Sequence, residues 1–212
     1  MLGADDGIVS LASIMIGMIA AGASRGTTLT AAAAALVAGA MSMAAGEYVS
    51  VSSQRDTERA DLGVEQRELA ESPAAEIREL SAIYRSRGLR GPLADEVALA
   101  LTRTDALGAH ARDELGLDPT MLARPIQAAW SSAASFTAGA ALPIVAMLVA
   151  PASVLISAVI ATALGALVLL GLAGARAGGA PMARAAIRVG LGGGFAMAVT
   201  AAVGRLVGHG GF

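Results

Sequence analysis

GIVSLASIMIGMIAAGAS, residues 7–24, runs 18 residues without a charged side chain. At about 1.5 Å of rise per residue, such a helix crosses the hydrocarbon core of a bilayer, which needs roughly 20 apolar residues. A cleaved secretory leader is the competing reading, but a leader begins with positive charge. This run follows Asp5 and Asp6. A second apolar run, residues 27–53, comes after Arg25-Gly26 and is interrupted only by Glu47. Three more follow at about 127–150, 152–174 and 186–208, with breaks at Pro151 and over the Arg176–Arg184 stretch. The sequence therefore predicts an all-α membrane protein with five transmembrane helices.

Charge is distributed to match. Charged residues make up 15% of the 212, well below the roughly 25% of soluble domains. Of the 17 acidic residues, 14 lie from Asp56 to Asp118, and ten of the 15 arginines lie from Arg55 to Arg124. The chain divides into residues 1–53 (spans one and two), a polar helical domain at 54–124, and residues 125–212 (spans three to five). Arginine-rich connections stay on the cytosolic side. This places the N-terminus and residues 54–124 in the cytosol and the C-terminus outside. Absence of lysine and abundance of alanine suggest a bacterial source, hence the inner membrane.

Several function classes fall away. With no cysteine, disulfides, thiolate sites and cysteine nucleophiles are excluded. His110 and His209 are the only histidines, too few for a three-histidine zinc site. No basic stripe exists for nucleic acid, and no phosphate-binding loop or hydrolase elbow supplies an engine. Small residues such as Gly39, Ala40 and Gly165 suit close helix packing in lipid. Pro143 is expected to kink the third span.

Within the polar domain, residues 54–71 read as a helix, and Ser72-Pro73 as a cap and first-turn proline that restart it. A second helix runs to about Ser86, and two shorter ones cover 92–102 and 105–115. Glu65, Glu68, Glu76 and Glu79 are spaced 3, 8 and 3. At about 100° per residue an uninterrupted helix would carry all four on one face, as two carboxylate clamps three turns apart. An ordinary solvated acidic helix is the alternative. His110 and Glu114, at i,i+4, can reach one metal; a lone surface histidine is the alternative there.

Acidic groups in spans are costly and so point to function. Asp6 opens the first span, and Glu47 lies about 20 residues along the antiparallel second, which returns it to similar depth. Met43 lies one turn from Glu47. Two carboxylates and a thioether suit a borderline transition metal, and the carboxylates can exchange metal for protons. Against this stand a solvated helix N-terminus for Asp5 and Asp6, and plain packing for Met43.

Five stretches in order, GADDGIVS (3–10), MSMAAGEYVSVSSQRD (41–56), the E-x-x-E pairs at 65–68 and 76–79, RDELGLDP (112–119) and P-x3-AWSSAASFTAGAALPI (125–144), resemble the vacuolar iron transporter family. The resemblance implies a five-helix membrane domain that dimerises, with a cytosolic metal-binding domain inserted between spans two and three. It implies proton-coupled export of ferrous iron, and often manganese, from the cytosol. Asp6, Met43 and Glu47 would line the translocation path. Glu65, Glu68, Glu76, Glu79 and Glu114 would ligate metal in the inserted domain, with His110 beside them. No permanently bound cofactor is expected; Fe2+, Mn2+, Co2+ or Zn2+ would be substrate and domain ligand, with protons and the bilayer as further partners. Two departures stand out: His110-Ala111 replaces a methionine pair usual in the family, and only five residues precede Asp6, fewer than the family's usual arm. A manganese exporter, or a membrane-anchored metal sensor or scaffold that moves nothing, are the competing readings.

Overall fold

A computed structural model describes residues 2–209. Those residues are 87% helical and contain no strand. Seven α-helices follow in order: α1 (Leu2–Ala20), α2 (Arg25–Glu71), α3 (Pro73–Ser86), α4 (Gly91–Asp113), α5 (Pro125–Val149), α6 (Leu155–Ala177) and α7 (Met182–His209). Five of them, α1, α2, α5, α6 and α7, are long and apolar enough to cross a membrane. The chain forms two compact units. One comprises the residues up to Glu47 with those from Gln127 onward; the other is Tyr48–Ile126.

In the first unit α1 packs against α6 and α7, and α6 packs against α7. The buried core is Ile8, Leu11, Met15 and Ile16 of α1 with Phe136 and Met147 of α5, Val159 and Leu167 of α6 and Met197 of α7. Backbones approach closely where glycine allows it. A β-carbon on Gly7 would lie 2.2 Å from the Phe136 carbonyl oxygen, and one on Gly204 2.0 Å from that of Gly17. The outward faces are apolar: Val37 and Met41 of α2, Val149 of α5, and Leu191 and Phe195 of α7 are all exposed. This is the surface that hydrocarbon solvates in a spanning bundle.

Helix ends follow from local chemistry. α1 stops at Gly22, whose φ of +86° suits only glycine; the Ala23 and Gly22 amides bond back to Met18 and Ile19. Ser24 then caps α2, its hydroxyl accepting the Thr27 amide at 3.1 Å. Arg25 reaches across to the end of α5, donating to the carbonyls of Ala150, at 3.1 Å, and of Met147 and Leu148. A cation there offsets both the unpaired carbonyls and the negative end of the helix dipole. α5 continues through Pro143, which is fully buried. Pro151 ends that connection, and one turn of 3-10 helix at Ala152–Val154 leads into α6.

In the second unit α3 packs on α4 around Leu80, Ala98 and Ala109. Two polar clips reinforce this contact. Asp95 accepts from Ser81 and Arg85, and Asp113 accepts from Tyr84 and Arg87. The helices expected at 92–102 and 105–115 form one element broken at Asp105 (φ −161°, ψ 88°), whose carboxylate caps the Gly108 amide at 3.0 Å.

Candidate metal centre

Pro73 decides the geometry. It takes the first helical position of α3 as expected, but Ser72 makes no side-chain cap bond, and its φ of −139° leaves the helical region. The single face that an uninterrupted helix would give the four glutamates therefore does not form, and the break at Ser72-Pro73 re-aims the second pair. Glu65 and Glu68 belong to α2, Glu76 and Glu79 to α3. The two pairs are not separate clamps three turns apart either, since Glu65 and Glu76 meet at one histidine.

That histidine is His110, on the last turn of α4. It is fully buried, with Glu65 at 2% and Glu76 at 7% exposure. Ligand atoms of the three all lie within 4.8 Å of one another. His110 Nδ1 is 3.1 Å from Glu65 Oε1, 3.9 Å from Glu76 Oε2 and 2.9 Å from Glu114 Oε2. Metal–ligand bonds of about 2.0–2.2 Å put neighbouring ligand atoms roughly 3–3.5 Å apart, so these spacings suit a shared cation.

Polar accounting in the cluster is incomplete. Nδ1 is hydrogen-bonded to Glu114, but Glu65 Oε1 and His110 Nε2 are buried without a hydrogen-bond partner. Buried polar atoms are nearly always paired, and orphans call for an explanation. Burial first, then the charge of Glu114, pushes the Glu65 carboxyl above the usual carboxylate range, with His110 opposing. For Glu76 burial again comes first, followed by the charge of Glu79, and His110 again opposes. Glu68 raises both carboxyls. Glu68 and Glu79 are themselves exposed. A divalent cation would relieve both the repulsion and the orphaned oxygen. A neutral imidazole with carboxylates suits iron, zinc and other borderline metals more than magnesium or calcium.

The other predicted residues belong to the first unit. Asp6 lies in the second turn of α1, exposed, and accepts the Ser10 hydroxyl at 3.1 Å. Met43 is half-buried against the core of the unit, and Glu47 is exposed on α2. Among the described residues, no hydrogen bond or ion pair joins Asp6 to Glu47. Glu58 was not singled out in the sequence. It is buried, accepting from Gln54 and from the Ala123 amide, both at 2.9 Å. Only the fold reveals it, because its partner is a backbone group 65 positions away.

The model of the VIT family matches residues 1–205. The chain belongs to the VIT family. A "Vacuolar iron transporter" from Acanthamoeba castellanii is 45% identical over 97% of this chain and 76% of its own length. "Vacuolar iron transporter homolog 1" from Oryza sativa is 40% identical over 99% of this chain and 73% of its own. "VIT-like transporter 1b" from Glycine max is 34% identical over 98% and 74%. With its five apolar helices, this VIT-family chain is an integral membrane protein.

Proposed function

We propose that this chain is a secondary transporter carrying a divalent transition metal, ferrous iron foremost, out of the cytosol in exchange for protons. The observation that carries the reading is the convergence of buried Glu65, Glu76 and His110 from three helices, in a chain that also has apolar helices able to span a bilayer. Relatives named as vacuolar iron transporters support iron as cargo.

In this reading residues 54–124 face the cytosol. Glu68 and Glu79 draw cations in, and Glu65, Glu76, His110 and Glu114 hold them. The metal displaces the proton that Nδ1 shares with Glu114, so capture depends on a deprotonated site. From there it passes to Asp6, Met43 and Glu47, where a thioether beside carboxylates suits a borderline ion. Protonation of the same carboxylates from the far side releases the metal and returns a proton inward. Two copies of the chain together enclose the path. Manganese shares the donor preferences and is the competing cargo.

The test is metal-dependent proton flux in proteoliposomes across iron, manganese, cobalt and zinc. Asp6→Ala is expected to abolish flux; Glu65→Ala with Glu68→Ala is expected to slow it. Absence of any flux by the wild type would leave a sensor or scaffold. Manganese uptake undiminished by excess ferrous iron would sink the iron assignment.

A further inference from the structure

Ser52 and Arg55 lie one turn apart on α2, within the second unit. Both are half-buried, and each hides an unsatisfied polar atom: Ser52 Oγ and Arg55 Nε are shut from solvent and have no hydrogen-bond partner. An arginine that merely snorkels keeps its guanidinium in water. In Arg55 the Nε–H is nonetheless shut from solvent without an acceptor, and a guanidinium cannot shed its charge to escape the cost. Among the described residues it forms no ion pair. Glu58, one turn further on, has one oxygen on Gln54 and the other on the Ala123 amide. Asp56 leaves the helix about 100° round from Arg55.

The surroundings define the missing acceptor. Tyr48 and Val49, a turn or two before Arg55, are exposed apolar residues at the end of the apolar run of α2, where aromatic side chains mark the membrane interface. Arg59, one turn beyond Arg55, is exposed. So is Arg124, which follows the amide held by Glu58 and is thereby brought beside this stretch of α2. A buried guanidinium N–H and a buried hydroxyl, with the exposed Arg59 and Arg124 on the same unit just past the apolar run, call for an anion with several oxygens. The arginine fork matches phosphate.

We propose that Ser52 and Arg55 bind the phosphate of an anionic phospholipid, with Arg59 and Arg124 adding charge around it. The proposal rests on α2 crossing the membrane just before Ser52. It is independent of the metal and its path. Phospholipid, rather than soluble phosphate, follows from the apolar surface that adjoins the site.

The experiment uses the full chain purified in neutral detergent, followed by native mass spectrometry and thermal unfolding. Phosphatidylglycerol is expected to remain bound and raise the Tm; phosphatidylcholine is expected to do so at least fivefold less well, and inorganic phosphate not at all. Arg55→Gln and Ser52→Ala should each lower phosphatidylglycerol occupancy at least fivefold, while added zinc still stabilises the second unit. Arg55→Lys, which keeps charge but loses the fork and Nε, should fall between and serves if Arg55→Gln does not fold. Equal retention of the two lipids, or undiminished retention by all three variants, would overturn the proposal. A shift by inorganic phosphate matching that of the lipid would do the same. So would variants that split a dimer yet keep their lipid, since the acceptor would then belong to a second copy. If α2 does not span, the protein will instead leave vesicles without detergent.

Discussion

His110 stands with no solvent exposure between three carboxylates, one ring nitrogen engaged and the other without a hydrogen-bond partner. If it is a ligand, its removal should cost most for metals that favour nitrogen. His110→Ala is expected to weaken zinc and cobalt binding about a hundredfold and manganese binding about tenfold or less. Competition titration of the detergent-solubilised protein measures both, and an equal loss for all metals would indicate a merely structural histidine. The pairing of His110 with Glu114 was legible from i,i+4 spacing; burial was not, since it comes from α2 and α3 closing over the ring. The carboxylates make a second prediction. Burial, and then the charges of neighbouring carboxylates, raise the Glu65 and Glu76 carboxyls in the folded protein. The folded state therefore binds more protons than the unfolded one between the ordinary carboxylate range and the raised values. Without metal, these two groups add stability as pH falls through the raised values and cost stability above them. Glu76→Gln should raise the neutral-pH Tm of metal-free protein and flatten that pH dependence. It should also remove most of the stabilisation by metal, which for the wild type is about 2.7 kcal/mol at a hundred times Kd. Thermal unfolding with and without zinc reads both effects, and a lower metal-free Tm would refute the repulsion.

At the scale of elements, α2 shows where sequence reading succeeds and where it stops. The change from apolar to charged composition near residue 53 was plain, yet the helix runs through it to Glu71. Charge marks a change of surroundings, whereas a helix ends only where backbone chemistry ends it, here at Ser72-Pro73. That stop was visible in sequence, but the direction in which it sends α3 was not, because Glu65 and Glu76 meet through tertiary contacts with α4. Arg25 is a similar case. In the sequence it only separates the first two apolar runs, yet it caps the end of α5, since no local pattern announces a carbonyl more than 120 positions away. Close helix packing, by contrast, was foreshadowed at Gly39, whose added β-carbon would meet the Phe136 ring, but not at Gly165, which faces open space; it can be tested at α1 and α5. A β-carbon on Gly7 would meet the carbonyl oxygen of Phe136 at 2.2 Å and the amide nitrogen of Ala140 at 2.9 Å. These are backbone atoms, so no side chain can rotate away. Gly7→Ala should destabilise the first unit by about 1–3 kcal/mol or more through overpacking. Gly165→Ala is the control, because nothing lies within 4 Å of its added carbon. Equal unfolding temperatures for the two variants would contradict the packing.

For the whole molecule, the proposed function assigns metal capture and metal movement to different units. Glu65, Glu76 and His110 lie within Tyr48–Ile126; Asp6, Met43 and Glu47 lie in the other unit. If capture and movement are separate steps, their losses must separate too. Asp6→Asn removes a charge at an exposed position of α1 whose hydrogen-bond partner is Ser10, so the fold should survive. It is expected to cut metal flux about a hundredfold or more, because an amide binds a divalent ion weakly and cannot cycle a proton at the pH of the cell. Zinc-dependent stabilisation should stay within about a factor of two in Kd, since the capturing groups are untouched. Glu65→Ala with Glu76→Ala should behave in reverse. Stabilisation would vanish, and flux would fall at low metal but recover toward the wild-type maximum at high metal, where capture no longer limits entry. A raised KM with a preserved maximum thus marks the acidic cluster as collector, and a lost maximum with preserved binding marks Asp6 as part of the path. Loss of both properties in Asp6→Asn would mean that binding at the cluster depends on the path. The two units would then act as one site rather than in sequence.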